Sequence, residues 1–345
     1  RASSILDVKM KEGNAKKLEV NGGIGVIFSR LSIEAPIVKD KASFIVAARR
    51  SYIDVLAKPF LTGNNANSKF SFYDLTAKVN YTINKKNTVF MSGYFGRDVF
   101  GTGFGFDWGN TTLTTRWNHV FSNKLFLNAT AFYSNYDYML DSDIENKRPN
   151  DAFKWTSNIE NLSIKPDFTY YWRPDNTITF GGQLLTYDFT PGKANATSNG
   201  EKREFGQANK QGVEASAYVG HDWKINSRLT IQYGVRYSHY DYKSLNGEYY
   251  DRIPVVVSTE NPSGYVLKIN QTDPNAVVAS YGNWEPRFAL NVTGNESSSL
   301  KLSYNRLAQY IHLMSNTAAS TPLDVWTSST NNIKPQIVDQ LALGL

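Results

Sequence analysis

The sequence predicts an all-β protein, a transmembrane up-and-down antiparallel β-barrel with about 14 strands in this chain. Three observations support this fold class. Apolar and polar residues alternate along many segments, short and long connections alternate between those segments, and aromatic residues make up 14% of the chain. Alternation with a period of two is typical of a strand whose faces meet different surroundings, and lipid on one side and a water-filled lumen on the other fit this pattern.

The clearest example lies in residues 228–240, which read RLTIQYGVRYSHY. Gln232 and Arg236 belong to its polar row and are predicted to face the lumen. Residues 213–222 repeat the pattern with Glu214 in their polar row, and a short link joins the two segments into a predicted hairpin. The apolar rows, predicted to face lipid, consist of Leu229, Ile231, Tyr233, Val235 and Tyr237 and of Val213, Ala215, Ala217 and Val219.

The same alternation occurs in residues 73–81, 125–133, 178–184 and 300–305. Arg306 breaks the last of these patterns because it falls on the apolar row. An arginine that faces the middle of a bilayer costs about 2 to 4 kcal/mol. We therefore expect a β-bulge at Arg306 or a position near the rim of the barrel.

Connections between the segments are alternately short and long. Turn-rich short links are predicted at about residues 34–41, 83–87, 121–124, 172–176, 225–228 and 293–298. Longer polar stretches are predicted at about residues 57–70, 97–108, 141–153, 190–207, 245–280 and 313–333. An up-and-down barrel produces this order, whereas the crossings of a Greek-key sandwich would disrupt it. The short links are predicted to face the periplasm and the long stretches the exterior of the cell.

Two of the long stretches, 245–280 and 313–333, are predicted to carry binding residues, because long external loops are usually functional. Exposed aromatic side chains beside charges commonly anchor a solute or a partner protein. The candidates are Tyr249, Tyr250, Asp251, Arg252 and Trp326.

The aromatic residues, 21 Tyr, 19 Phe and 7 Trp, predict two girdles at the interfaces between membrane and water. The girdle at the short-link end is predicted to contain Tyr81, Phe121, Tyr171, Trp172 and Trp223. The girdle at the other end is predicted to contain Tyr136, Tyr138, Tyr187, Tyr240 and Tyr242.

Composition excludes several other classes of protein. The chain has no cysteine, which removes disulfide scaffolds and thiol metal sites. A net charge of +6 without a basic tail gives little support to nucleic-acid binding. No apolar run reaches the roughly 18 residues that a membrane-spanning helix requires. No arrangement of nucleophile, base or metal ligands stands out, so the sequence predicts no enzymatic activity, no cofactor and no metal site.

Two segments near the start of the chain, RASSILDVKMKEGN at residues 1–14 and LEVNGGIGVIFSRLSIEAPI after it, resemble parts of one known family. They are similar to the end of the plug domain and to the first barrel hairpin of TonB-dependent outer-membrane receptors of the Bacteroidetes type. Further similar segments, in the same order as in the family, are FIVAARRSYID, YDLTAKVNY, EPRFALN, QYIHLMSNT and IKPQIVDQLALGL. The resemblance covers nearly the whole chain and depends on the order and spacing of these segments together.

The resemblance implies a bacterial outer-membrane barrel of 22 strands, filled by an N-terminal plug, that imports a scarce solute with energy delivered through TonB. Residues 1–14 would then end the plug, and residues 15–345 would form the N-terminal two-thirds of the barrel. We therefore expect this chain to be a fragment of a longer transporter. The implied partners are outer-membrane lipid, the plug, the TonB complex and an unidentified solute, and the family also admits a surface lipoprotein partner.

Charged residues of the polar rows are candidates for contact with the plug or with the solute, and the sequence leaves both roles open. They are Lys78, Arg116, Glu214, Arg236, Glu285 and Arg287. Arg49 and Arg50 are adjacent, so only one of the two can face the lumen on a regular strand.

Two other functions fit the sequence less well. A passive outer-membrane channel complete in about 14 strands agrees with the strand count but not with the plug-like start. A soluble all-β adhesin agrees with the polar loops and the aromatic residues, and it would dissolve without detergent.

Overall fold

The computed structural model describes residues 9–62, 68–101, 105–142, 152–206, 209–244, 247–255, 264–295, 298–314 and 325–345. Strands dominate these residues, and the helices described are one α-helix, Ile53–Ala57, and one 3-10 helix, Lys58–Phe60. Neither helix is long and apolar enough to cross a membrane.

The strands in chain order are β1 (Glu19–Ile24), β2 (Phe28–Val38), β3 (Ala42–Ser51), β4 (Lys69–Asn84), β5 (Asn87–Gly101), β6 (Gly105–Val120), β7 (Leu125–Asp141), β8 (Ala152–Arg173), β9 (Asn176–Ser198), β10 (Glu201–Gly206), β11 (Lys210–Lys224), β12 (Leu229–Ser244), β13 (Glu248–Val255), β14 (Gly264–Gln271), β15 (Val277–Asn295), β16 (Ser298–Gln309), β17 (Ile311–Met314), β18 (Val325–Ser328) and β19 (Gln336–Gly344).

One antiparallel sheet of 15 strands contains β1 to β12, β15, β16 and β19, and its path follows chain order, with β10 paired to β9 off that path. This order confirms the predicted up-and-down antiparallel architecture. The remaining strands form two separate hairpins, β13–β14 and β17–β18.

The two faces of the sheet differ in burial. Partners in neighbouring strands share a face, and Arg236 lies opposite Tyr218 on one side and Glu285 on the other. We call this the inner face, because Glu285 there is 3% exposed. Val235 pairs with Val219, which is 49% exposed, on the opposite face. The predicted polar and apolar rows thus lie on opposite faces.

Most central strands are longer than a membrane crossing requires. β8 has 22 residues and β9 has 23, whereas about 9 to 11 residues span the hydrocarbon region. The extra length lies at the end where the longer connections occur.

Two of the predicted loops were therefore wrong in part. Residues 97–101 pair with 105–109, and residues 193–198 pair with 201–206, because the strand ladder continues and satisfies the backbone there.

All five side chains of the aromatic girdle predicted at the short-link end are exposed. Tyr171, however, pairs with Thr177, which pairs with Asp222 of the inner row, so Tyr171 lies on the inner face and not on the lipid side. The other predicted girdle is wrong. Tyr138, Tyr187, Tyr240 and Tyr242 are each at most 6% exposed, and all but Tyr138 belong to one apolar core cluster that also holds Tyr310. The reason is parity: Tyr240 and Tyr242 lie an even number of residues from Arg236 and therefore share its inner face. Tyr136 lies on the same row as Tyr138 and is half-buried.

Arg306 lies on the outer face, as its position in the sequence predicts, but without a bulge. The pairing of β16 with β19 is regular from Lys301 to Gln309, and Asp339 lies directly opposite Arg306. Arg306 Nε is 3.7 Å from Asp339 Oδ1, and the Tyr304 hydroxyl donates a hydrogen bond to the same oxygen at 2.7 Å. The bulge, one of the two expected alternatives, is absent. Arg306 lies three residues before the end of β16 and faces a cross-strand counter-charge.

Candidate functional site

The inner face of β8 to β16 bounds a cavity of about 790 Å³. Its charged lining residues are Lys165, Glu214, Asp222, Arg236, Glu285 and Arg287. Positive and negative groups are equal in number among these six, so the lining has no net formal charge. Amides and rings complete the wall, among them Gln183, Gln232, Asn305, Tyr187, Tyr310 and Trp326.

Arg236 lies between two buried carboxylates at the centre of this wall. Its Nη2 is 3.1 Å from Glu214 Oε1, and its Nε is 3.7 Å from Glu285 Oε1. The carboxylate side chains are only 9% and 4% exposed. Buried carboxylates need both a counter-charge and hydrogen bonds to remain ionised, and the short distance assigns the stronger pairing to Glu214.

Hydroxyl groups complete the hydrogen bonding of the two carboxylates. The Tyr187 hydroxyl donates to Glu214 Oε2 at 3.1 Å, and Ser238 Oγ donates to Glu285 Oε1 at 2.8 Å. Ser238 also lies 2.8 Å from the Tyr310 hydroxyl, which accepts a hydrogen bond from Asn283 at 2.9 Å. One polar network therefore joins the inner rows of four strands, β9, β11, β12 and β15. Tyr310, which directly follows β16, belongs to the same network.

The predicted luminal residues fall into two groups. Glu214, Arg236, Glu285 and Arg287 meet at the cavity. Lys78 is on the inner face of β4, in a different part of the sheet. Arg116 is exposed on β6 between Phe90 and Thr130, and its guanidinium has no ion pair within the described part of the chain.

Lys78 contacts the segment that leads into β1. Its Nζ is 3.1 Å from the carbonyl oxygen of Met10 and 3.7 Å from Glu12 Oε1. Lys11 pairs with the buried Glu34 at 2.6 Å, and Ser43 Oγ donates to the carbonyl of Gly13 at 2.7 Å. Because Glu34, Ser43 and Lys78 belong to inner rows of β2, β3 and β4, residues 10–13 lie along the inner face. Residues 1–8 are outside the described residues.

The hairpin β13–β14 carries the four candidates Tyr249 to Arg252. Asn331 Nδ2 donates to Asp251 Oδ1 at 2.6 Å and to the Tyr250 carbonyl at 2.8 Å, and the Arg252 amide donates to Asn332 Oδ1 at 3.0 Å. The two long predicted stretches therefore contact each other. Their shared contact could not be predicted from alternation, because neither segment belongs to the main sheet.

The stretch 313–333 was predicted as a long polar loop with exposed binding residues, and residues 325–330 of it are instead folded against the sheet. Lys210 Nζ donates to Thr327 Oγ1 at 2.8 Å, and the amide of Ser329 donates to the Tyr310 carbonyl at 2.7 Å. Thr327, Ser328 and Ser329 are fully buried. This segment is folded against the inner face and places Trp326 in the cavity wall. Residues 315–324 are outside the described residues.

Comparison with known proteins agrees with this geometry. Residues 173–342 match the family model described as outer membrane beta barrel domain. The ferric-catecholate import receptor Fiu of E. coli K12, in its closed form, has a similar structure: the TM-score is 0.63, identity is 12%, and the match covers 97% of this chain and 56% of that one. The fold is that of an outer-membrane β-barrel.

Two other solved structures are similar. The copper transporter OprC gives a TM-score of 0.59 at 12% identity, with 87% of this chain and 47% of that chain covered. The hemophore receptor HasR of Serratia marcescens gives 0.56 at 13% identity, with 84% and 45% covered. This chain thus spans about half the length of the solved structures that it resembles. None of the curated proteins matches the sequence. The family model and these receptors indicate the bacterial outer membrane as the location.

The inner wall offers polar contacts from charged groups, amides and aromatic hydroxyls. Among the described residues, no group of three or more histidine, cysteine or acidic side chains could hold a metal ion. The three similar proteins named above are receptors and transporters. A balanced set of fixed charges, amides and aromatic rings can bind a polar solute or the polar surface of another protein domain.

Proposed function

We propose that this chain is the barrel portion of a TonB-dependent receptor of the Bacteroidetes type, which imports a scarce solute across the outer membrane with energy from the TonB complex. In this proposal residues 1–14 end a plug domain, and residues 15–345 form the first two-thirds of the barrel wall. The outer face contacts lipid, and the cavity around Arg236 contacts the plug or the solute.

The position of residues 10–13 carries the proposal. A passive channel needs an open lumen, whereas a plugged receptor needs its chain to pass from inside the barrel into the first strand. Lys78, Glu34 and Ser43 hold this segment against the inner face immediately before β1. This path favours a plugged receptor over an open channel.

Uptake by whole cells tests the proposal. The full-length protein would be expressed in tonB-positive and tonB-negative strains and supplied with a radiolabelled ferric catecholate, copper or haem, the cargo chemistries suggested by the similar proteins. We expect uptake of at least one of them in the tonB-positive strain only. Equal uptake in both strains, together with swelling of sugar-loaded vesicles that contain the protein, would support the passive channel instead.

A further inference from the structure

The outer face of β1 to β4 contains an apolar groove of about 880 Å³. Two cross-strand rows form it. The lower row runs Gly22, Leu31, Ala48 and Leu75, and the upper row runs Ile24, Ser29, Arg50 and Tyr73. The floor is low at Gly22, which has no side chain, and at Ala48, which has only a methyl group. The exposed side chains of Leu31, Leu75 and Tyr73 stand higher beside them.

Arg50 is the charged residue of these two rows. It lies one residue from the end of β3 that leads into a long connection, so it is near the outer rim of the barrel. The structure shows no ion pair for its exposed side chain within the described ranges. Its neighbour Arg49 lies on the inner face and pairs with Asp74 at 2.6 Å. The strand therefore directs one arginine inward to a carboxylate and leaves the other facing the membrane.

We propose that this groove binds a phosphorylated, multiply acylated glycolipid of the outer leaflet, with a phosphate on Arg50 and an acyl chain over Gly22 and Ala48. Arginine binds phosphate through two parallel charge-assisted hydrogen bonds. A phosphate would therefore give Arg50 the anionic partner that the described residues do not provide. The apolar floor immediately below the guanidinium matches an acyl chain attached near a phosphate. Short turns of such barrels face the periplasm, so the rim that carries Arg50 meets the outer leaflet rather than the phospholipids of the inner leaflet.

The test measures lipid A binding to the full-length protein, purified in detergent, by native mass spectrometry. We expect Arg50→Gln to weaken binding about ten-fold, the loss typical of one charge-assisted contact. Gly22→Leu should weaken it similarly by filling the groove. A Cβ at Gly22 would meet Leu31 Cδ1 at 3.6 Å, an ordinary contact, so the variant should assemble. Arg50→Lys should bind with an affinity between those of the wild type and Arg50→Gln, because lysine keeps the charge but not the two parallel hydrogen bonds.

Lys69→Gln is the matched control, because Lys69 is exposed at the same end of the neighbouring strand and does not line the groove. It should change binding less than two-fold. The proposal is overturned if Arg50→Gln binds lipid A as well as the wild type does, or if Lys69→Gln weakens it equally. It is also overturned if phosphatidylglycerol binds as tightly as lipid A with the same dependence on Arg50, or if the groove is occupied by a second copy of the protein.

Discussion

Arg236 on β12 and Glu214 on β11 form an ion pair of 3.1 Å on the inner face of the sheet, although their Cα atoms are not directly opposite each other. Glu214 lies opposite Tyr240, and Arg236 lies opposite Tyr218. The diagonal contact positions the guanidinium between Glu214 and Glu285 on β15. One arginine thus holds two buried carboxylates on strands that flank its own.

Replacing Arg236 with methionine should destabilise the barrel, because it leaves two buried carboxylates without a counter-charge. The expected loss is about 3 kcal/mol in the free energy of unfolding. Glu214→Gln should cost much less, since it preserves the shape and the hydrogen bond from Tyr187. Urea titration of the folded barrel in vesicles, followed by heat-modifiable mobility on gels, compares the two variants. Equal midpoints would argue against a central role for Arg236.

Arg306 and Asp339 should stabilise each other on the outer face. Asp339→Leu leaves an arginine facing lipid without its counter-charge, and we expect a loss of about 2 kcal/mol. The double variant Arg306→Leu with Asp339→Leu removes both charges and should recover most of that loss. The same urea titration measures both. A double variant as unstable as Asp339→Leu alone would show that the pair itself contributes little.

The contact between β17 and residue 329 should depend on pH. His312 Nε2 lies 2.9 Å from Ser329 Oγ, and burial lowers the pKa of His312 from its ordinary value of 6.5. The folded segment therefore favours the neutral imidazole. The contribution of His312 to the stability of this segment is fully present above pH 6.5. It is lost as the pH falls from 6.5 towards the lower pKa of His312 in the folded state.

Hydrogen exchange of residues 325–330 measures this effect. After correction for intrinsic rates, these amides should exchange faster at pH 5.5 than at pH 7.5 in the wild type. In His312→Asn the difference should disappear. Protection that is unchanged between the two pH values in the wild type would contradict the prediction.

Lys78 should hold residues 10–12 on the inner wall. In the full-length protein, Lys78→Gln removes the ion pair with Glu12 and weakens the hydrogen bond to the Met10 carbonyl. We expect the segment to become more accessible to protease and the conductance of planar bilayers to rise. Arg116→Gln is the matched control, because Arg116 is also on the inner face and the structure shows no contact between it and this segment. Identical behaviour of the two variants would remove the support that this contact gives to a plugged receptor.

The sheet could be predicted from sequence because alternation directly reports which face a residue occupies. The same rule, applied consistently, would have placed Tyr240 and Tyr242 inside with Arg236; their aromatic character suggested a girdle instead. The Arg236 network was predictable as a set of inner charges, but Ser238 and Tyr310 were not, since their contacts depend on the register between strands. The inward fold of residues 325–330 carries no periodic pattern, so a polar loop could not be distinguished from a segment buried by hydrogen bonds.

Site-directed spin labelling along β12 tests the central claim most directly, because these 345 residues contain no cysteine that would compete with an introduced one. Any cysteine outside them would be replaced by serine. Single cysteines at positions 229 to 238 would be labelled in the full-length protein in vesicles, and collision rates with oxygen and with a water-soluble nickel chelate would be measured. We predict a period of two: high oxygen access at 229, 231, 233 and 235, and lower oxygen access at 230, 232 and 236. A reversed order, or a smooth profile without alternation, would contradict a sheet with one face on lipid and the other on the interior of a barrel.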